Sequence, residues 1–280
     1  NGSLRIILVD NASVDNSVAK VSSDFPEVKI IMNSSNRGFA AACNQGAAVS
    51  DAGYILFLNP DTQVSRKSFE IPLKFMMDPG NWNYAVCGIQ MRSGEDKVSR
   101  SSARFPELKD FFSDITGISK LFPNRKIGLH MTDWDHSVNR DVDHVIGAFY
   151  LIRRHAFETV GGFDERFYVY LEDLDLSKRI YDNGWKIRYL AEANCYHKGG
   201  GTSESVKATR LFYFLRSKIL YGFKHLKPVS AFILLTATLV VEPLTRLVFS
   251  HTSPAGMVNV CKAFLRLYKG LPGILKTARQ

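Results

Sequence analysis

Cysteine is scarce and scattered: Cys43, Cys87, Cys195 and Cys261 are the four present, and no two form a CxxC pair. That spacing excludes a disulfide framework and a zinc cage, and it fits a reducing, cytosolic setting. The chain lacks a GxxxxGK[ST] loop and a GxGxxG turn, so neither common phosphate-cradling motif is available. Long apolar runs are missing too: Val229 to Val241 covers about 13 nearly uncharged residues, short of the ~20 needed to cross a bilayer. No internal repeat or low-complexity tract is visible, which excludes a solenoid. Acids are the minority charge, 27 Asp and Glu against 36 Lys and Arg, for a net +9. A basic surface favours anionic partners, and phosphate-bearing sugar donors, lipid headgroups and nucleic acid all qualify.

What is present is ample for folding, since 280 residues at 45% hydrophobic content suffice for one large α/β domain, or one domain with an appendage. Short β-branched runs at Leu4 to Val9, Val28 to Met32 and Tyr54 to Leu58 alternate with helix-like stretches, the pattern of βαβ units on a parallel sheet. Further strands are expected at Val86 to Gln90, Val142 to Ile152 and Trp185 to Leu190. Leu171 to Asn183 carries apolar residues at helical spacing and ends near Asn183-Gly184. The polar, proline-punctuated stretch from Arg92 to Arg140 is expected to be irregular and to lie on the acceptor side. From Ser205 onward aromatic and basic residues interleave as an amphipathic helix. The apolar run after it is expected to stop at Glu242-Pro243 and to lie at an interface; packing on the domain or on a second subunit is the other option.

Four segments carry candidate chemistry. Val9-Asp10-Asn11-Ala12-Ser13 ends a strand in a carboxylate, and in open α/β sheets ligands bind outside the carboxyl ends of strands, so Asp10 and Ser13 point to a nucleotide base or ribose. A helix cap is the ordinary alternative for that Asp. Asn36-Arg37-Gly38 opens a helix of small residues, with Arg37 able to offset phosphate charge. The strand ending Leu58-Asn59-Pro60-Asp61 delivers Asp61 as an oxygen ligand for Mg²⁺ or Mn²⁺, where a plain turn is the alternative. Glu172 and Asp173 open a helix and project differently, so one of them suits a general base. His197, just past the last strand and before Gly199-Gly200-Gly201, is a candidate third ligand.

Taken in order, VDNAS, NRGFAAACNQG, LNPDT, GAF, GGFDERF, LEDLDL and the late His197 resemble glycosyltransferase family 2, with rhamnosyltransferase-like members that build bacterial surface polysaccharides as the nearest look. The resemblance covers roughly Leu4 to Lys227. It implies a GT-A, Rossmann-like α/β fold with a mostly parallel sheet flanked by helices, over residues 1–204, and a membrane-associated helical tail over 205–280. By resemblance Asp10, Ser13, Asn36, Arg37, Gly38, Asn59 and Asp61 bind the donor, and Asp61 and His197 hold the Mg²⁺ or Mn²⁺. Gly147, Ala148, Phe149 and Glu172 line the sugar and acceptor cleft, and Asp173 is the base of an inverting transfer. The family's usual DxD has Asn59 in place of its first acid, and the family's opening strand with its T-Y-N-type end is not found, so the chain reads as starting inside the fold.

The implied partners are a dTDP- or UDP-sugar, a glycan or polyprenyl-linked acceptor and a membrane surface, with no nucleic acid and with homo-oligomerisation left open. The implied location is cytoplasmic, peripheral on the inner face of the membrane. Two rivals stand beside this expectation: a Mg-dependent nucleotidyltransferase, which would be expected to show a Gly-rich phosphate loop and a catalytic Lys, and a non-catalytic basic module for nucleic acid or membrane.

Overall fold

The computed structural model describes residues 4–94, 97–122, 128–129, 131, 133–198, 206–249 and 254–280. The strands are β1 (Ile7–Asp10), β2 (Lys29–Met32), β3 (Tyr54–Leu58), β4 (Thr62–Val64), β5 (Tyr84–Ser93), β6 (Lys97–Ser99), β7 (Ser102–Ala103), β8 (Arg140–Asp141), β9 (His144–Val145), β10 (Phe149–Arg153) and β11 (Lys186–His197). The helices are α1 (Ser17–Asp24), α2 (Phe39–Ala48), α3 (Arg66–Met77), α4 (Leu108–Thr116), α5 (Ile118–Leu121), α6 (Arg154–Thr159), α7 (Glu172–Asp182), α8 (Lys207–His225), α9 (Pro228–Thr236), α10 (Glu242–Phe249) and α11 (Pro254–Ala278).

The expected βαβ pairing holds for β1 and β2, which run parallel with Ile7 opposite Lys29 and Asp10 opposite Met32. The larger sheet is mixed rather than mostly parallel, in the order β3-β10-β5-β11-β4. Among the described residues β5 and β11 alone pair in parallel there; β10 is antiparallel to both β3 and β5, and β4 is antiparallel to β11. The cause is the connection: parallel neighbours need a crossover, usually a helix, and β10 instead returns from a winding excursion after β5. Alternation along β10 builds two layers of core. Tyr150 and Ile152 face α7, whereas Phe149 and Leu151 face α3 and Met76.

The expected strand from Val142 to Ile152 breaks into β9 and β10 around Gly147. The stretch expected to be irregular contains α4, whose Phe111 and Ile115 join Leu171 and Leu174 of the α7 start, Leu215 and Ile219 of α8, and Leu234 of α9 in a second core. Glu107 and Asp110 form a reciprocal capping pair at its N-terminus.

The tail also departs from expectation. Glu242 and Pro243 do not end the apolar helix: α9 continues through a π-turn at Ala237–Val241 into α10. A proline inside a helix leaves the carbonyl four residues earlier without its donor. Here that carbonyl is Leu239 O, and the hydroxyl of Tyr268 on α11 donates to it at 2.7 Å. The Glu242 charge is met by Lys218 and Arg246. Pro228–Val248 is therefore long and apolar enough to cross a bilayer by length and composition, and 28% of that window is buried inside the protein.

Candidate functional site

The β4–β11 ladder places Thr62 opposite His197. Asp61, one residue before β4, thereby meets the imidazole, with Nε2 3.2 Å from Oδ1 and both side chains 17% exposed. Lys198 N–H donates to the Asp61 carbonyl at 3.2 Å and extends the ladder by one rung. Thr62 secures the turn before it, its hydroxyl donating to Asn59 O at 2.6 Å.

Asn59 N–H donates to Ala148 O at 3.0 Å, and the neighbouring Gly147 N–H donates to Asp173 Oδ2 at 2.7 Å. Asp61 and Asp173, 112 positions apart in the chain (173 − 61), are thus stitched to one end of the sheet through a three-residue bridge. A Cβ on residue 147 would lie 3.1 Å from Asp173 Oδ2, so glycine is what lets the backbone approach the carboxylate. The other oxygen of Asp173 accepts Leu174 N–H at 2.8 Å.

Glu172, expected in the cleft, is buried with Oε2 lacking a hydrogen-bond partner. Burial, reinforced by the Asp173 charge, pushes its carboxyl well above the usual range. The Cys43 thiol on α2 is raised likewise, by burial first and then by Glu172 and Asp173, so the helix of small residues reaches the same corner. Phe149, also expected in the cleft, has its ring in the core on the α3 side, because it sits on the face of β10 opposite Tyr150. Its contribution to a cleft is limited to support.

Of the residues expected to bind a donor, Asp10, Ser13, Asn36, Arg37 and Gly38 gather around the end of β1 and the start of α2. Asp10 is buried, and its carboxylate accepts Ser13 N–H at 3.1 and 3.3 Å, closing the loop after β1. Gly38 stands at φ 87°, where a Cβ would lie 2.4 Å from Tyr168 O. Asn36 Oδ1 accepts its N–H at 2.9 Å. Arg37 is exposed and faces Glu165 at 3.9 Å.

Sequence reasoning gave no role to the amides that hold this loop. Asn11 Nδ2 donates to Gly38 O at 3.1 Å, Asn33 Nδ2 donates to Asn11 Oδ1 at 2.9 Å, and Asn33 and Gln45 exchange two bonds. The available signal was an amide directly after each of the first two strands, at Asn11 and Asn33, and a third at Gln45 on the helix that follows. The glycines at 199–201, read as a loop beside His197, lie outside the described residues.

Asp173 is carried on a strained, clamped backbone. Tyr170 and Leu171 both adopt left-handed conformations, φ 68° and 63°, immediately before α7. Such conformations cost a non-glycine residue on the order of 1–3 kcal/mol each and persist only where the surroundings enforce them. The enforcement comes from α8. Ser217 Oγ donates to Val169 O at 2.8 Å and Arg216 to Arg166 O at 2.7 Å. Lys224 bridges Asp164 and Asp175 at 2.6 Å each, and His225 Nε2 lies 2.7 Å from Asp175. Despite burial, hydrogen bonds from Arg166 and Lys224 hold the Asp164 carboxyl below its ordinary range, and the hydrogen bond to His225 with the Arg179 and Lys224 charges does the same for Asp175.

The Glycosyl transferase family 2 model matches residues 2–161, more than half of the 280. The chain belongs to that family. Family members similar to it include an N-acetylglucosaminyl-diphospho-decaprenol L-rhamnosyltransferase of Mycobacterium tuberculosis, 28% identical over 209 residues that cover 69% of this chain and 66% of that protein. The rhamnosyltransferase WbbL of Escherichia coli is 29% identical over 176 residues, 61% of this chain and 62% of WbbL. The chain thus spans slightly under two thirds of the length of these curated relatives. Among solved structures, the mannosyltransferase PcManGT of Pyrobaculum calidifontis, in complex with GDP-Man and Mn²⁺, matches with a TM-score of 0.52 at 14% identity, over 99% of this chain and 76% of that one. That likeness supports the GT-A fold expected from the motifs.

Proposed function

We propose that this family 2 member is an inverting glycosyltransferase that moves a sugar, with rhamnose the leading choice, from a dTDP- or UDP-linked donor to a glycan or lipid-linked acceptor at a membrane surface. One observation supports it above others: the Asp61–His197 pair and the Asp173 carboxylate are brought to one sheet end by the Asn59–Ala148 and Gly147–Asp173 hydrogen bonds. The acceptor hydroxyl gives its proton to Asp173 while its oxygen attacks the anomeric carbon. The bond from that carbon to the nucleoside diphosphate breaks, and configuration inverts once. The loop held by Asn11 and Asn36 frames the nucleotide, with Asp10 and Ser13 at its base, and Arg37 turns from Glu165 to the diphosphate.

Asp61 and His197 suit a divalent cation. A carboxylate oxygen and an imidazole nitrogen 3.2 Å apart supply two ligands, and Mg²⁺ or Mn²⁺ ordinarily completes its shell with phosphate oxygens and water. Among the described residues no group of three or more His, Cys, Asp or Glu side chains is placed to hold a metal ion by itself. When bound, the cation neutralises charge on the departing diphosphate. Thermal-shift measurements with nucleoside diphosphates are expected to show stabilisation that depends on Mn²⁺. In Asp61→Ala that dependence disappears, and an unaltered Mn²⁺ response removes Asp61 from the ligand set. A release assay decides against the nucleotidyltransferase: nucleoside diphosphate is the expected product, and pyrophosphate would sink the proposal.

Membrane contact is supported by one apolar stripe. Val229, Phe232, Ile233, Val240, Leu244 and Val248 fall at helical spacing along the helix from α9 to α10, with a gap of seven residues between Ile233 and Val240, and stay exposed, Phe232 by 61% and Leu244 by 63%. The full chain is expected to bind vesicles of anionic lipid. Replacing Phe232 and Leu244 by Asp weakens that binding at least tenfold, since each buried apolar side chain contributes roughly 1.5–3 kcal/mol. Unchanged vesicle binding places the contact elsewhere.

A further inference from the structure

Behind Asp173 runs a buried polar chain that the transfer reaction does not itself require. His144 on β9, Ser177 on α7 and Tyr150 on β10 are all buried, in a part of the core otherwise lined by Val145, Ile152, Leu176 and Tyr189. The Ser177 hydroxyl lies 2.9 Å from His144 Nδ1 and 2.9 Å from the Tyr150 hydroxyl. On its far side the imidazole presents Nε2 to Asp173 Oδ2 at 3.7 Å. Ser177 follows Asp173 by one helical turn, so carboxylate and hydroxyl stack on one face of α7 and grip the ring from both nitrogens.

We propose that His144 is a positioning residue for the Asp173 base: a neutral imidazole with its proton on Nε2, steered by the Tyr150–Ser177 hydroxyl pair, that holds Oδ2 and leaves the remaining lone pairs to the acceptor hydroxyl. The proposal rests on the assignment of Asp173 as base, and it adds no covalent step.

Proton bookkeeping favours one tautomer. A phenol is a better donor and a poorer acceptor than an alkyl hydroxyl, and burial keeps the Tyr150 phenol protonated by raising its pKa. Tyr150 therefore donates to Ser177 Oγ, and Ser177 uses its own proton toward Nδ1. A neutral ring that accepts at Nδ1 carries its proton at Nε2. The reverse tautomer would turn a lone pair toward the Asp173 carboxylate and repel it.

Gly147 N–H already occupies Oδ2 at 2.7 Å, and Nε2–H is the second donor aimed at that oxygen. At 3.7 Å the contact is electrostatic in the free protein, and such contacts commonly tighten once substrates bind. Among the described residues, Cys43, Glu172 and Asp175 are further titratable side chains near this end of α7.

The test combines spectroscopy and kinetics on the full chain. Long-range ¹H–¹⁵N NMR of the wild type is expected to show His144 as the Nε2–H tautomer, and Ser177→Ala is expected to show a mixture. In nucleoside diphosphate release, His144→Phe loses roughly 10- to 100-fold in kcat, part of the ~10²–10⁴-fold that a positioned base supplies, with KM for donor within about twofold. His144→Gln places an amide N–H near Nε2 and recovers most of the loss.

An Nδ1–H tautomer in the wild type overturns the proposal, as does full turnover by His144→Phe or a parallel loss of donor affinity. If His144→Phe does not fold, the tautomer and the Gln variant still decide. If the wild type transfers no sugar at all, the function assigned to Asp173 fails, while the NMR result judges the His144–Ser177–Tyr150 chain on its own.

Discussion

Asp173→Asn is expected to reduce turnover by about 10²–10⁴-fold, the contribution of a well-placed general base, and to leave donor affinity nearly unchanged. The amide is isosteric and its oxygen can still accept Gly147 N–H, but its nitrogen then faces Leu174 N–H, so basicity is lost together with one of the two backbone contacts. Glu172 cannot stand in, because it is buried against α2 and its carboxyl is raised by that burial. Product release by coupled assay and donor binding by calorimetry separate the two quantities. A matched fall in both would mean that Asp173 shapes the pocket rather than acting in it.

The largest expected loss of stability lies far from this pocket. Lys218 and Glu242 pair inside the helical tail with each side chain 3% exposed, and Arg246 adds a second contact to Glu242 at 2.8 Å. Burial pushes the Lys218 ammonium below its ordinary range, and Glu242 opposes that trend. Removing one partner of a buried pair leaves an uncompensated charge, at a cost of about 3–5 kcal/mol. Glu242→Ala is therefore expected to lower Tm on the order of 10 °C in calorimetry. Lys218→Met combined with Glu242→Leu removes both charges and recovers most of that loss, because Arg246 is exposed enough to turn outward. A single variant as stable as the wild type would show that water reaches the pair.

Much of the site was legible because its residues sit where strands end. Asp10, Asp61 and His197 each close or follow a strand, and a terminal carboxylate after an apolar run is visible in one dimension. Helix α7 was readable from its apolar spacing and from Asn183 at its end. Three features were not. The direction of β10 depends on a long connection of short strands and helices rather than a single crossover helix, so a parallel sheet was expected where a mixed one forms. Phe149 reads the same on either face of a strand, and register alone sends its ring to the α3 side. The helix through Pro243 survives because Tyr268 supplies the missing donor from 25 positions further on (268 − 243), and no local rule anticipates that partner.

The bond from α8 to the loop before α7 bears on how this chain can be recombined. Lys224 and His225 secure Asp175, two residues from Asp173, and Ser217 and Arg216 hold the bend that contains Tyr170 and Leu171. A chimera that grafts another member's tail at residue 205 keeps Asp164 and Asp175 and must therefore supply counterparts of Arg216, Ser217, Lys224 and His225. Without them the left-handed pair is free to relax, and the graft is silenced at its base even if it reaches the bilayer.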